Sequence, residues 1–167
     1  MKLPICVIDA QTGTLCKKCK SLYREGKIND LDIELSKLLV QLAKGNKNLK
    51  KVELYSVIEL KDIVLLVTRK KDIDVLKSPE VMDGIRSIVN KEIRFLERTN
   101  DPKRLVESLI APIPVQNVTT VFIPPFSDKE YKIEIERKYK DELPIPESVL
   151  IQTVSTVLNT EAYIEYV

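Results

Sequence analysis

Cys16-Lys17-Lys18-Cys19 is the sharpest chemical motif in the chain. Two thiolates three positions apart can converge on one ion across a tight turn, and Zn²⁺ suits such a pair. Cys6 supplies a third sulfur if a β-turn around Gln11-Thr12-Gly13 brings the chain back. A closed structural zinc site takes four protein ligands. The chain has three cysteines and no histidine, so Asp9, a partner chain or water has to complete the set. Three readings are open at this point: zinc, a structural turn with reduced thiols, and a disulfide or redox pair at Cys16 and Cys19. In each of them the flanking lysines favour the thiolate.

Lys17, Lys18, Lys20, Arg24 and Lys27 form a basic cluster on the same segment. Such a cluster is either a phosphate-contacting patch or a solvated face. Arg69, Lys70, Lys71 and Lys77 form a second group, offset by Asp72, Asp74, Glu80 and Asp83. Tyr55, Tyr131, Tyr163 and Tyr166 fall in expected strands, where they either stack bases or complete a core edge. No catalytic constellation is visible. Absence of histidine removes the commonest acid/base, and four glycines spread along the chain build no phosphate loop or dinucleotide fingerprint.

The elements that must position these residues repeat. At an offset of 69 residues, Ser87-Ile88-Val89-Asn90-Lys91-Glu92 lies over Thr156-Val157-Leu158-Asn159-Thr160-Glu161. Each hexamer ends a helical pattern and leads into an alternating strand, 93–96 in one copy and 162–166 in the other. The same offset carries the upstream strands, 52–60 and 62–68 against 119–123 and 130–136. A short helix follows in each, over 72–77 and 138–143. Longer helices begin at Pro79, behind a Ser78 cap, and near Pro146. Helices over 31–43 and from Asp101-Pro102 precede the two copies. Gly84 interrupts the helix after Pro79 at a cost of roughly 1 kcal/mol, which points to close packing there.

Both copies then read α-β-β-α-α-β, the arrangement of the type II KH domain, and two in tandem resemble the KH pair of the transcription factor NusA. The opening Ile5-Cys6-Val7-Ile8-Asp9-Ala10 and Thr12-Gly13-Thr14-Leu15-Cys16-Lys17-Lys18-Cys19, then Gly26-Lys27-Ile28, is similar to an archaeal NusA-like group. The resemblance implies an α/β (α+β) chain with a cysteine-containing extension over residues 1–30 and KH-like domains over 31–98 and 99–167. It also implies contact with single-stranded RNA and a place in transcription. KH domains grip RNA with a Gly-x-x-Gly loop. Ser78-Pro79-Glu80-Val81 and Leu143-Pro144-Ile145-Pro146-Glu147 stand at that place, without glycine and with prolines removing amide donors.

Charge is graded along the chain. Residues 1–50 hold ten Lys or Arg against five Asp or Glu, and residues 111–167 hold five against nine. No apolar run approaches the roughly 18 residues of a membrane span, and an acid at Asp9 comes too early for a secretory leader. The expectation is a cytoplasmic protein that is not an enzyme, takes no small-molecule substrate and binds RNA through Lys17, Lys18, Lys20, Arg69, Lys70, Lys71 and Lys77. One rival is an interaction module docking on RNA polymerase or a ribonucleoprotein. Thiol redox chemistry at Cys16 and Cys19 is the other.

Overall fold

The cysteine-bearing opening is helical. Val7–Thr12 (α1) and Lys17–Arg24 (α2) are joined through Gly13, whose φ of 77° closes α1 and lets its amide reach the Asp9 carbonyl at 2.8 Å. The expected β-turn is therefore a helix with a left-handed glycine cap. Helices of six and eight residues do not hold themselves in water. Their support is a small apolar cluster of Ile5, Ala10, Cys19 and Ile28 against Val40.

The computed structural model describes residues 1–126 and 128–167, and these form two units, Met1–Arg98 and Thr99–Val167. In the first, Asp30–Ala43 (α3) starts at a capping box in which the Asn29 side chain accepts from the Asp32 amide at 2.8 Å and Asp32 accepts from the Asn29 amide at 2.9 Å. The other Asp32 oxygen accepts from the Val57 amide at 2.7 Å, so one buried carboxylate ties the helix start to a strand. Burial pushes the Asp32 carboxyl above its ordinary range, and the Asn29 and Val57 amides pull it back.

Leu54–Glu59 (β1) and Ile63–Thr68 (β2) are antiparallel, and Glu92–Glu97 (β3) lies parallel to β2. Between them run a 3₁₀ turn at Lys70–Asp72, Ile73–Leu76 (α4) and Pro79–Ile88 (α5). The core joins Leu35 and Leu39 of α3, Leu54, Leu66, Leu76, Val81 and Ile85. Complete burial of each such side chain contributes about 1.5–3 kcal/mol. Gly84 lets α5 approach α3, since a Cβ there would stand 3.0 Å from Leu38 Cδ1 and 3.1 Å from Cδ2. Ser78 begins α5 by position only, its hydroxyl being buried without a hydrogen-bond partner.

The second unit has the same plan. Pro102–Ile110 (α6) is capped by Asp101, whose side chain accepts from the Lys103 amide at 3.0 Å. Asn117–Ile123 (β4) and Asp128–Ile135 (β5) are antiparallel, Glu147–Leu158 (α7) follows, and Glu161–Tyr166 (β6) runs parallel to β5. Leu105, Val106, Ile110, Ile133, Ile135, Leu150 and Val154 are buried. The chain is thus an α/β protein of two structurally similar tandem sheet-and-helix units.

Two details of the repeat are corrected. Phe95 pairs with Leu66 and Ile164 with Ile133, so the β3/β6 offset of 69 becomes 67 in the central strands. Val57 pairs with Leu66 and Val118 with Ile133, so β1 and β4 are offset by only 61. Loops of different length absorb the change. The expected helix over 138–143 is a 3₁₀ turn, Arg137–Tyr139, with amides bonding three residues back (Lys140 to Arg137, Glu142 to Tyr139), and Pro144 disfavours the helical conformation at Leu143.

Candidate metal centre

Cys6 precedes α1 and Asp9 is its third residue, while Cys16 precedes α2 and Cys19 is its third residue. The two helix starts are therefore built on one spacing, Cys-x-x-Asp and Cys-x-x-Cys, and they converge. One ligand atom from each of the four residues lies within 4.8 Å of the others. Cys6 Sγ and Cys19 Sγ are 3.6 Å apart. A tetrahedral zinc with sulfur at about 2.3 Å separates two sulfurs by roughly 3.8 Å, so the pair has the right spacing.

The surrounding amides suit thiolates. Cys6 N–H points at Cys19 Sγ and Cys19 N–H at Cys16 Sγ, each at 3.5 Å. Asp9 accepts from the Cys16 amide at 3.0 Å through Oδ2. Cys19 and Asp9 are buried, whereas Cys6 and Cys16 are exposed. Burial, and then the Asp9 carboxylate, push the Cys19 thiol up to about 12. The Cys19 thiol and the Cys16 amide together hold Asp9 below the ordinary carboxylate range. The expectation that nearby lysines favour the thiolate thus fails at Cys19: a buried sulfur beside a carboxylate keeps its proton until a cation replaces it.

Three soft sulfurs and one carboxylate oxygen can complete a tetrahedron without water or a partner chain. Zn²⁺ held by Cys6, Asp9, Cys16 and Cys19 would supply a cross-link between α1 and α2, not an open coordination position.

Lys17, Lys18 and Lys20 are exposed on α2 beside this centre, and none is in an ion pair among the described residues. Arg69 is committed to the fold. Its Nε donates to Asp72, Nη1 lies 3.1 Å from Glu53 Oε1, and Nη2 donates to the Lys51 carbonyl at 2.6 Å. Lys70 and Lys71 are exposed on the neighbouring turn. Lys77 stands elsewhere, with Nζ 5.8 Å from the Phe95 ring centre. There it shares a groove of about 430 Å³ with Met82, Arg86, Ile93 and Arg94.

No protein-family model and no curated protein matches the chain. Among solved structures, the crystal structure of APE1850 aligns with a TM-score of 0.57 at 12% identity, covering 77% of this chain and 95% of that one. The likeness is one of fold.

Arg86 and Arg94 were not legible as partners of Lys77, because α5 and β3 meet only in three dimensions. Asp9 had a readable signal: its spacing from Cys6 equals that of Cys16 from Cys19. No described helix is long and apolar enough to cross a membrane.

Proposed function

We propose that the chain is a non-enzymatic, RNA-associated protein of the NusA-like kind, with two degenerate type II KH units and a zinc-stapled N-terminal extension. The repeated order of helix, antiparallel hairpin, helix and parallel strand supports the KH reading. The observation that carries RNA contact is the groove between α5 and β3. Lys77, Arg86 and Arg94 rim a floor of Met82, Ile93 and Phe95, which places cations beside an aromatic ring. Cation-rimmed grooves with one stacking surface hold single strands through phosphates and a base face. Arg86 lies 3.8 Å from Asp83 in an exposed pair and Arg94 lies 2.9 Å from Glu92 in a partly exposed one, and a phosphate can displace both.

The test is anisotropy of labelled single-stranded RNA across a salt series. Three phosphate contacts predict a slope of about −2 in log affinity against log salt, falling in Arg86→Ala and Lys77→Ala. RNA binding that is absent at low salt, or that these changes leave untouched, removes this reading.

A second reading, docking on RNA polymerase or a ribonucleoprotein, is favoured by the tip of the β4–β5 hairpin. Phe122 is 64% exposed and Phe126 81% exposed. Apolar side chains displayed this way mark protein contacts. Capture by purified RNA polymerase that is lost in Phe126→Asp would support it.

A further inference from the structure

Distinct from the Lys77 groove, α1 and α3 leave a second groove between them, on the helix that carries Asp9. Met1, Val7, Val40 and Ala43 form an aliphatic floor of about 410 Å³, with Gln11, Lys44 and Lys50 at the edges. It continues past Gln11, Val40 and Lys44 into a stretch of about 280 Å³ that reaches Thr12, Gly13 and Lys37. Residues 44–52, which include the lining residues Lys44 and Lys50, hold no acid. Lys37 is met by Glu34 at 3.4 Å, while Lys44, Lys47 and Lys50 are in no ion pair among the described residues.

We propose that this groove docks a short acidic peptide segment carrying aliphatic side chains. The floor would take the aliphatic groups, whose burial drives association, and the lysines would pair with carboxylates at the rim. Gln11 offers both a donor and an acceptor for a backbone laid along α1. Neither stretch has an aromatic lining residue, so stacked bases find no surface there, which favours a peptide over RNA. The inference goes beyond the RNA reading and does not depend on it.

The experiment uses the full chain and a short fluorescent peptide of alternating glutamate and leucine. Saturable binding is expected for this peptide. Little is expected when its glutamates become lysine or its leucines become serine. Lys44→Glu with Lys50→Glu, both at exposed positions, should weaken binding by about tenfold or more. Lys103→Glu with Lys129→Glu, the same charge change at exposed positions of the second unit, should leave it unchanged. Circular dichroism confirms that each variant is folded. Equal loss in both double variants, binding that ignores the peptide's leucines, or displacement of the peptide by single-stranded RNA overturns the proposal. Loss of RNA binding in Arg86→Ala with peptide binding intact separates the two surfaces.

Discussion

Cys6 Sγ and Cys19 Sγ stand 3.6 Å apart although they are 13 positions apart in the chain, and that contact joins the starts of two helices too short to persist alone. A metal at this point would act as a staple added to the small cluster of Ile5, Ala10, Ile28 and Val40. Chelation should therefore loosen α1 and α2 while the strand cores stay folded. Hydrogen exchange checks this: rapid exchange at residues 7–24 with protected amides in β2 and β5 is the expected pattern. Uniform protection after chelation would show that the apolar cluster suffices.

Metal affinity should rise with pH. The metal-free Cys19 thiol is held protonated up to about 12, so binding expels a proton, and each proton expelled changes affinity about tenfold per pH unit. Competition with a chromogenic chelator between pH 6 and 8 measures the slope. A flat profile would mean that no thiol proton is lost on binding.

Arg69 belongs to the fold. Its guanidinium satisfies Asp72, Glu53 and the Lys51 carbonyl, so Arg69→Ala leaves a buried Asp72 carboxylate without its cation. The urea-unfolding midpoint should fall, with the salt slope of RNA binding unchanged. A lowered slope at unchanged stability would return Arg69 to the nucleic-acid surface.

Much of the fold was legible because the relevant signals are local. The Asp101-Pro102 cap, the apolar stripe of 31–43 and the period-two strands each lie within a few residues, and Gly84 announced the close approach that Leu38 now explains. Signals that depend on loop length were not legible: the repeat keeps its 69-residue offset at β3 and β6 and loses it in the hairpins. Charge alone grouped Arg69 with Lys77, whereas the fold engages one in ion pairs and sets the other over Phe95.

The Gly84 contact predicts a graded series. Gly84→Ala gains roughly 1 kcal/mol of helix propensity against the need for Leu38 Cδ1 and Cδ2 to move by a few tenths of an ångström, so its net effect should be near zero. Gly84→Val adds atoms that this rearrangement cannot accommodate and should cost about 1–3 kcal/mol. Leu38→Ala should recover part of that loss. Additive effects of the two changes would show that the residues do not touch.

Tyr166 donates to Glu147 at 2.8 Å, and burial followed by this carboxylate pushes its phenol up to about 12. The unfolded phenol ionises near 10, so between pH 10 and 12 the native state holds the proton more tightly and stability declines as pH rises. Tyr166→Phe should flatten that part of the alkaline profile in thermal melts. An unchanged slope would remove Tyr166 as its source.

The most direct test of the metal centre is elemental analysis of the reduced, purified chain. About one zinc per chain is expected, lost in Cys6→Ser, Cys16→Ser and Cys19→Ser and weakened in Asp9→Ala. A chain without metal whose three thiols all react freely with a thiol reagent would contradict the account.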